Sequence, residues 1–582
     1  MKASPKTAKS DRERFYPAIF LFATALVYLL PSARAILDDG DALYAQIAEQ
    51  MNSRSDWVTP YANGVRFLDK PPLMFWLMAA SYRVFGVHEW AARLPTALGI
   101  AGTAWLLWVM GRRAAGAGAG LFAALAFVLS AGTLFFTLEA FPDIFLVFFL
   151  TLAVYCLLRW HGDGGESVWP TIGFFAALGG AVLAKSLIGI VFPLAIAVLF
   201  LSFSRPRPRI RFKGVVVGFL VLLAIAGPWH LLAALRNPGF LEHYFVNEQL
   251  LRFFGRRQPV DYGSIPIPIF WALILVWFFP WSSFLAAVVK LGKTLGDNVE
   301  ARAVVRLAVC WGSVVVVFFS LASRLEHYSF PAIPPLALLV GIAIAQSEVA
   351  VSKWIDRGFA FLGAFGVLSG IASVAVFIWW GLHGAALVAD DGARVSAYTN
   401  LFSPLFDLPA ATRARLVSPL LGTLVLFACG TVVAWWWNRR GGRMRGVLAL
   451  AATMTAFCLI ATYSLGLCEG LLSSRAFGVV LRERALPGAS VVVMGDYESA
   501  NSISFYAPVR LLILGGSAAS LEQGLRYDGS AQMIISRDRL EGLWQGPDRV
   551  FLLGRMSDVS SLGIAPAFII ADYSGRRLIS NR

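Results

Sequence analysis

The stretch that decides the fold lies between the first two long apolar segments and runs from Ile36 to Arg93: ILDDGDALYAQIAEQMNSRSDWVTPYANGVRFLDKPPLMFWLMAASYRVFGVHEWAAR. It carries five aspartates in a chain that is otherwise basic and apolar, namely Asp38, Asp39, Asp41, Asp56 and Asp69. Charged side chains beside membrane-spanning segments are costly and usually functional. We therefore expect the chemistry of the protein to lie in this stretch.

Two short helices are predicted within it. The segment from Asp41 to Met51 places apolar residues on one face and Gln46 on the opposite face, which is typical of a helix lying along a membrane surface. Pro71 and Pro72 block helix formation until Leu73, and the apolar run from there to Phe85 is too short to span a bilayer. We expect both helices to hold an acidic loop against one membrane face.

The composition indicates a multi-pass membrane protein. Of 582 residues, 58% are hydrophobic, and a soluble fold of this size cannot hide so much apolar surface from water. The net charge is +15, but the basic residues are gathered in short loops, as expected for contact with membrane lipids and not for binding nucleic acid. The five cysteines show no paired spacing, so neither a disulfide framework nor a cysteine metal site is expected.

The apolar runs predict about thirteen transmembrane helices. They cover 15–33, 90–111, 117–137, 142–159, 169–184, 186–204, 214–234, 264–289, 303–322, 330–347, 357–380, 415–437 and 446–466.

The distribution of Lys and Arg predicts the orientation of the chain. The first fourteen residues form a basic tail (Lys2, Lys6, Lys9, Arg12 and Arg14), and every second loop after it is basic, including one with Lys290 and Lys293. Because cytoplasmic loops are enriched in Lys and Arg, we expect a cytoplasmic tail (1–14), a membrane domain (15–466) whose first outer loop is 34–89, and an outer domain (467–582).

This orientation places most of the unusual polar residues at one membrane face and predicts a single outward-facing cavity. These residues are Asp39, Asp41, Asp69, Lys70, Glu139, Asp143, Lys185, His243, Glu248, Arg252, Arg324, Glu326, His327 and Tyr328.

The composition changes after the last apolar run. Short buried-strand patterns occur at 488–496, 511–514, 533–535 and 550–553, and helical patterns at 476–486 and 518–525. Alternating elements of this kind predict a small α/β domain.

Several motifs make the chain resemble a known family. They include Asp-x-Asp-x-x-Tyr-Ala at Asp39 to Ala45, Asp-Lys-Pro-Pro at Asp69 to Pro72, Pro-Asp at Asp143, Ala-Lys-Ser at Lys185, and His-Tyr-Ser-Phe-Pro at His327 to Pro331. Together they are similar to those of GT-C membrane glycosyltransferases, in the bacterial branch of protein O-mannosyltransferases and lipid A aminoarabinose transferases (ArnT-like).

The resemblance implies an inverting glycosyltransferase of the bacterial inner membrane. Such enzymes take a sugar from a polyprenyl-phosphate donor and pass it to an acceptor at the periplasmic face. The acceptor expected here is a lipid similar to lipid A, and the alternative is a protein. A transporter or flippase of lipid-linked sugars is a further alternative of another class, although its polar residues are expected near the middle of the bilayer and not at one surface.

The catalytic carboxylates implied by the resemblance are Asp143 and one aspartate of the first loop. The family's acidic pair falls on Gly40 and Asp41, with Asp39 one position earlier, so either Asp39 or Asp41 is expected to orient the acceptor or take its proton. A plain structural role as a helix cap is the alternative for each.

The donor phosphate needs cations and hydrogen-bond donors. Lys70, Lys185 and Arg252 are the candidate cations, with His327 and Tyr328 beside them. The lysines can instead extend toward lipid headgroups, and Tyr328 can belong to an aromatic belt.

A divalent metal is a further possibility that the resemblance raises. ArnT-like proteins tend to carry a metal-binding histidine at the position of Gln249. Here Asp69 is the candidate ligand, and His243 can replace the missing histidine.

Overall fold

The computed structural model describes residues 13, 15–139, 141–205, 207–258, 264–292, 295–296, 298–388, 409–484, 489–527, 532–565 and 567–582. The predicted basic tail, with Lys2, Lys6, Lys9, Arg12 and Arg14, lies outside the described residues, as does Lys293.

The described ranges contain nine helices long and apolar enough to cross a membrane. They are Tyr16–Ala33, Glu89–Ala115, Asp143–Gly162, Phe212–Arg236, Val299–Leu321, Glu326–Ala345, Val349–Leu382, Ala411–Arg439 and Arg443–Leu467. The pair Ile267–Trp277 and Trp281–Leu291, bent by 97°, makes a tenth if it forms one span. The protein is therefore a multi-pass membrane protein.

Three of the thirteen predicted spans correspond to shorter helices, Ala117–Val128, Trp169–Lys185 and Ile188–Ser202. The first has 12 residues, and at about 1.5 Å per residue it is shorter than a bilayer of about 30 Å. Its predicted span is interrupted near Leu129 and resumes as Ala131–Phe135. A count of thirteen spans is therefore not confirmed.

Both predicted loop helices are present: loop helix 1 (Gly40–Arg54) and loop helix 2 (Leu73–Phe85). A two-stranded hairpin, β1 (Tyr61–Ala62) and β2 (Val65–Arg66), lies between them. The predicted exposed face of loop helix 1 is wrong for its first half, where every residue from 40 to 48 is buried. The C-terminal domain covers this half, and Gln46 accepts a hydrogen bond of 2.6 Å from Tyr497.

The C-terminal domain is built on one six-stranded sheet in the order β5-β4-β3-β6-β8-β7. Its strands are β3 (Ser490–Met494), β4 (Arg510–Leu514), β5 (Ile534–Ile535), β6 (Val550–Arg555), β7 (Phe568–Tyr573) and β8 (Arg576–Ser580). The first four are parallel, and β8 is antiparallel to both β6 and β7. The four predicted strands are present, and the sequence patterns missed the hairpin of β7 and β8.

The helices of this domain match the prediction only in part. The predicted helix at 476–486 is found as Arg475–Arg484. The one predicted at 518–525 is wrong, because the chain there makes two 3-10 turns, Ala519–Leu521 and Gly524–Arg526, the second packed against the backbone of Arg66. Helix Arg537–Gln545 was not predicted.

Shorter helical segments also occur among the described residues. They are a π-helical segment at Glu242–Leu251, a 3-10 segment at Glu326–Ala332, and short helices at Glu469–Leu472, Ile503–Tyr506 and Met556–Ser561.

The segment that follows β3, from Gly495 to Ser502, contacts the start of loop helix 1. Loops at the carboxyl ends of parallel strands commonly carry ligand-binding residues. The fold therefore places this edge of the sheet directly against the acidic loop.

Candidate functional site

A group of six buried or half-buried ionisable side chains, called the basic cluster below, surrounds the Asp-Lys-Pro-Pro motif. Its members are Asp69, Lys70, His243, Glu248, Arg252 and Arg257. Asp69 and Lys70 precede the prolines that delay loop helix 2, and the π-helical segment Glu242–Leu251 supplies His243 and Glu248. Irregular helical turns of this kind are frequent at functional sites.

Arg257 joins the two carboxylates of the basic cluster. It donates to Glu248 Oε1 at 2.6 Å and to Asp69 Oδ2 at 3.0 Å. Arg252 lies 3.3 Å and Lys70 lies 4.0 Å from Glu248 Oε2. Among these six residues three cations face two carboxylates, so the cluster carries a formal charge of +1 when His243 is neutral.

The protonation of the cluster follows from this packing. Burial alone would raise the pKa of Asp69, but the hydrogen bond with His243 (2.8 Å) and the charges of Arg257 and Lys70 leave it below its usual value. Burial, followed by the charge of Arg252, lowers the pKa of Lys70 to about 8. Lys70 is therefore charged at neutral pH but close to losing its proton.

Asp143 and Lys185 form a separate ion pair near the basic cluster. Asp143 is the first residue of its helix and Lys185 the last residue of another, and the two side chains form a salt bridge. The Lys185 ammonium also lies 5.1 Å from the ring centre of Tyr328, within cation–π distance.

His327 and Tyr44 lie among these groups and connect them into one polar site. His327 is close enough to Asp143, Lys185, Lys70 and Arg252 to interact electrostatically with each of them. Tyr44, on loop helix 1, is only 6% exposed. Burial and the charges of Asp143, Asp39 and Asp69 raise its pKa. All the residues predicted to bind the donor phosphate, which are Lys70, Lys185, Arg252, His327 and Tyr328, therefore belong to one polar site.

Asp39 lies at the start of loop helix 1 with φ of 77°. A positive φ is uncommon for a residue other than glycine and often marks a functional site. The C-terminal domain holds this backbone: Asp39 N donates to Asn501 Oδ1 at 2.9 Å, and Asn501 Nδ2 donates to Asp39 O at 2.9 Å.

Asp39 is exposed at the protein surface, although protein groups crowd around its carboxyl group. Burial, then the charges of Glu498 and Glu139, raise its pKa, and its carboxyl lies within hydrogen-bond reach of Glu498. A carboxyl group with a raised pKa is suited to accept and hold a proton.

Asp41 has a different environment. Its side chain is fully buried, accepts a hydrogen bond from Arg93 at 2.5 Å and accepts another from Leu37 N at 3.1 Å. This geometry stabilises the loop between the first span and loop helix 1.

Four residues of the polar site or in contact with Asp39 were not recognised from the sequence as site residues: Tyr44, Arg257, Glu498 and Asn501. Tyr44 stands in the Asp-x-Asp-x-x-Tyr motif, which is a usable signal. Asn501 is 462 positions from Asp39 in the chain, and no local pattern points to it.

Comparisons with known proteins bear on the same region. The sequence profile of a family described as dolichyl-phosphate-mannose-protein mannosyltransferase matches residues 69–231. This range contains Lys70, Asp143 and Lys185, but neither Asp39 nor Arg252.

Two curated relatives are also named as sugar transferases. Undecaprenyl phosphate-alpha-4-amino-4-deoxy-L-arabinose arabinosyl transferase 1 of Proteus mirabilis is 27% identical over 379 residues, covering 62% of this chain and 65% of that protein. The similarly named protein of Serratia proteamaculans is 28% identical over 368 residues, covering 60% of this chain and 63% of that protein. The matched region thus spans slightly less than two thirds of these relatives.

The fold is similar to a solved structure over nearly the whole chain. The crystal structure of ArnT from Cupriavidus metallidurans bound to undecaprenyl phosphate matches with a TM-score of 0.80 at 21% identity, covering 97% of this chain and 98% of that one. The predicted GT-C fold, a helical membrane domain followed by a small α/β domain, is confirmed.

Proposed function

We propose that this chain belongs to the ArnT-like branch of the GT-C membrane glycosyltransferases, which it resembles in sequence and fold, and that it transfers a sugar from a polyprenyl-phosphate donor to a lipid acceptor. The observation that carries the proposal is the convergence of Lys70, Arg252, Lys185 and Asp39 on one polar site around His327 and Tyr44. The relatives are named for an aminoarabinose carried on undecaprenyl phosphate, so we propose a donor of this class.

The basic cluster is suited to hold the donor phosphate. Its excess positive charge can pair with the phosphate oxygens, and the charge that develops on the leaving group is stabilised best in a partly dry site. Arg257 keeps the two carboxylates engaged, so that Lys70 and Arg252 can turn toward an anion. Exposed apolar residues near Arg252, such as Leu250 and Phe254, offer a surface for the prenyl chain.

The transfer is a displacement at the anomeric carbon. An acceptor oxygen forms the new bond on one face of the sugar while the bond to the phosphate oxygen breaks on the other, which inverts the configuration and releases polyprenyl phosphate. If the acceptor is a hydroxyl, its proton passes to the Asp39 carboxylate. If the acceptor is a phosphate, it is already anionic, and Asp39 serves to orient it.

We assign different roles to the remaining acids. Asp143 forms a salt bridge with Lys185 and so positions the lysine beside the donor. During transfer, Asp143 also contacts the sugar or the acceptor. Asp41, paired with Arg93, fixes the loop that carries Asp39.

The orientation of the chain is part of the proposal. Basic loops on alternate sides favour a cytoplasmic N-terminus and a periplasmic C-terminal domain. This places the cavity at the periplasmic face of the bacterial inner membrane.

A divalent metal, which the resemblance raised only as a possibility, would have a partial ligand set. Asp69, His243 and Glu248 offer ligand atoms that all lie within 4.8 Å of one another. Arg257 already bridges the two carboxylates, and Arg252 and Lys70 lie beside Glu248. A divalent cation would have to displace one guanidinium and face two other cations, so the residues do not fit a metal well, and we propose that transfer is independent of metal.

The test is transfer of a labelled sugar from a synthetic polyprenyl-phosphate donor to lipid A in proteoliposomes, with products identified by mass spectrometry. We expect transfer by the wild type and by Glu541→Gln, a surface variant of the C-terminal domain, and none by Asp143→Asn. Near-normal turnover of Asp143→Asn would remove Asp143 from the catalytic assignment. No transfer by the wild type to lipid A or to a protein acceptor would overturn the function.

A further inference from the structure

Four arginines stack on tryptophans at the end of the membrane domain that lies away from the C-terminal domain. At this end the helix Val349–Leu382 begins, Ala411–Arg439 ends and Arg443–Leu467 begins. Each guanidinium carbon lies 4.0 to 5.2 Å from the centre of an indole ring, within cation–π distance. The pairs, called the arginine–tryptophan belt below, are Arg357 on Trp354, Arg439 on Trp435, Arg440 on Trp436 and Arg445 on Trp437.

The four pairs meet because three helices pack together at this end. Asn438, next to the end of Ala411–Arg439, donates a hydrogen bond to Asp356 of the preceding span at 2.7 Å. A short turn at 440–442 then leads into the helix Arg443–Leu467. The belt therefore lies at one junction of three spans.

The guanidinium groups of the belt keep their N–H edges free. All four arginines are exposed, and none of their side chains forms an ion pair or a hydrogen bond among the described residues. Stacking on an indole uses the flat face of a guanidinium, whereas its five donors point outward from its edge. Arg443 differs, because it donates to the carbonyl oxygen of Gln346 at 2.6 Å and to Ser352. The belt thus presents donors that the protein does not use itself.

The tryptophans place these cations at the height of lipid headgroups. Indole side chains collect at the interface between membrane and water, and here Trp436 is 40% exposed while Trp354, Trp435 and Trp437 are half-buried. The helix Arg443–Leu467 has 25 residues and is about 37 Å long at 1.5 Å per residue. This length exceeds the hydrocarbon thickness of a bilayer. A lipid held at the belt is therefore separate from the lipids that react beside the C-terminal domain.

The charge of the belt and its apolar neighbours identify the kind of ligand. The segments 349–368 and 430–450 contain six basic residues and a single acidic one, Asp356. A guanidinium edge matches two oxygens of a phosphate group. Phe361 and Val433, one turn or more into the spans, are 59% and 44% exposed and offer apolar surface to acyl chains. An amphiphile with an anionic phosphate headgroup fits both features.

We propose that the arginine–tryptophan belt binds anionic phospholipids of the surrounding membrane. Their phosphates lie against the guanidinium edges, and their acyl chains run along the spans below. A zwitterionic headgroup carries its own cation next to the phosphate and gains less from the belt. The proposal does not depend on sugar transfer, so its failure and the failure of the proposed function are distinguishable.

The test is native mass spectrometry of the full-length protein in detergent, titrated with phosphatidylglycerol or with phosphatidylcholine. We expect the wild type to bind phosphatidylglycerol at least about tenfold more tightly. The triple variant Arg439→Gln, Arg440→Gln, Arg445→Gln should bind it roughly 100-fold more weakly, since each basic residue at a membrane surface contributes about fivefold. Equal affinity of the wild type for the two lipids would overturn the proposal.

The matched control removes the same charge from a different basic loop. Arg207, Arg209 and Arg211 are also exposed, and the alternation of basic loops predicts the same membrane face for them, but none stacks on a tryptophan. Changing these three to Gln should leave the affinity for phosphatidylglycerol within a few-fold of the wild type. Equal losses in the two triple variants would show a diffuse charge effect and would overturn the proposal.

A conservative variant separates the arginine edge from charge alone and serves if the Gln variant fails to fold. Arg439→Lys, Arg440→Lys, Arg445→Lys keeps the charge but has no planar fork to stack on the indole rings. We expect it to bind phosphatidylglycerol about tenfold more weakly than the wild type, and unchanged affinity would overturn the proposal. An excess of inorganic phosphate should not displace the bound lipid, because it has no acyl chains. Full displacement would assign the site to a free anion instead.

Discussion

Asn501 holds the backbone of Asp39 through both polar atoms of its side-chain amide, at 2.9 Å each. The two residues belong to different domains, and Asn501 is almost fully buried between them. Because a non-glycine residue with φ of 77° is strained, an external clamp is needed to keep it in place. The C-terminal domain is thus part of the structure that positions the proposed catalytic carboxylate.

Replacing Asn501 by Ala should lower kcat about tenfold to a hundredfold, as expected for losing two hydrogen bonds that fix a reacting group. The KM for the donor should change little, because the basic cluster is not touched. The measurement is steady-state transfer in proteoliposomes. Asn581→Ala is the matched control, since Asn581 is also buried and bonded to backbone within the same domain, but away from Asp39. Equal losses in both variants would point to domain stability instead of positioning.

Asp39 and Asp41 should respond differently to the same substitution. Asp39→Asn should abolish transfer and leave thermal stability near that of the wild type, because the change removes proton acceptance without breaking a salt bridge. Asp41→Asn should lower stability by about 3–5 kcal/mol, since it leaves Arg93 buried and without its carboxylate. Melting curves and transfer rates, measured on the same preparations, check both. An active Asp39→Asn variant would shift the catalytic role to Asp41.

Donor use should depend on the protonation of Lys70. Its pKa of about 8 means that the ammonium loses its proton as the pH rises above 8, and the donor phosphate then loses a cation. We expect kcat/KM for the donor to fall about tenfold per pH unit above that point, since this ratio reports the free enzyme. Lys70→Arg should move the fall to higher pH because a guanidinium stays charged. Lys213→Arg, at an exposed position in the first turn of the helix Phe212–Arg236, should not. A flat wild-type profile from pH 7 to 9 would contradict the assignment of Lys70 to the phosphate.

Chelation should leave transfer unchanged. Arg257 occupies the position between Asp69 and Glu248 that a divalent ion would need. The measurement is activity after dialysis against EDTA, with elemental analysis of the purified protein. Stoichiometric bound zinc, or activity that is lost on dialysis and restored by added metal, would show that a metal ion displaces Arg257 from the basic cluster.

The sequence by itself determined the membrane class, the approximate positions of the nine long spans and both loop helices. These features follow from local rules: long apolar runs seek lipid, and the pair Pro71-Pro72 delays the helix that begins at Leu73. The motifs also pointed to Lys70, Asp143, Lys185 and Tyr328, because charged groups at the ends of apolar segments are rare enough to stand out.

Only the tertiary structure separated the roles of Asp39 and Asp41, which are two positions apart in similar sequence surroundings. The Asp39 carboxyl lies beside Glu498, whereas the Asp41 carboxyl is enclosed with Arg93. Both partners lie far away along the chain. The same holds for Asn501. Contacts between distant segments depend on how helices and domains pack together, and the periodicity of a single segment does not record that packing.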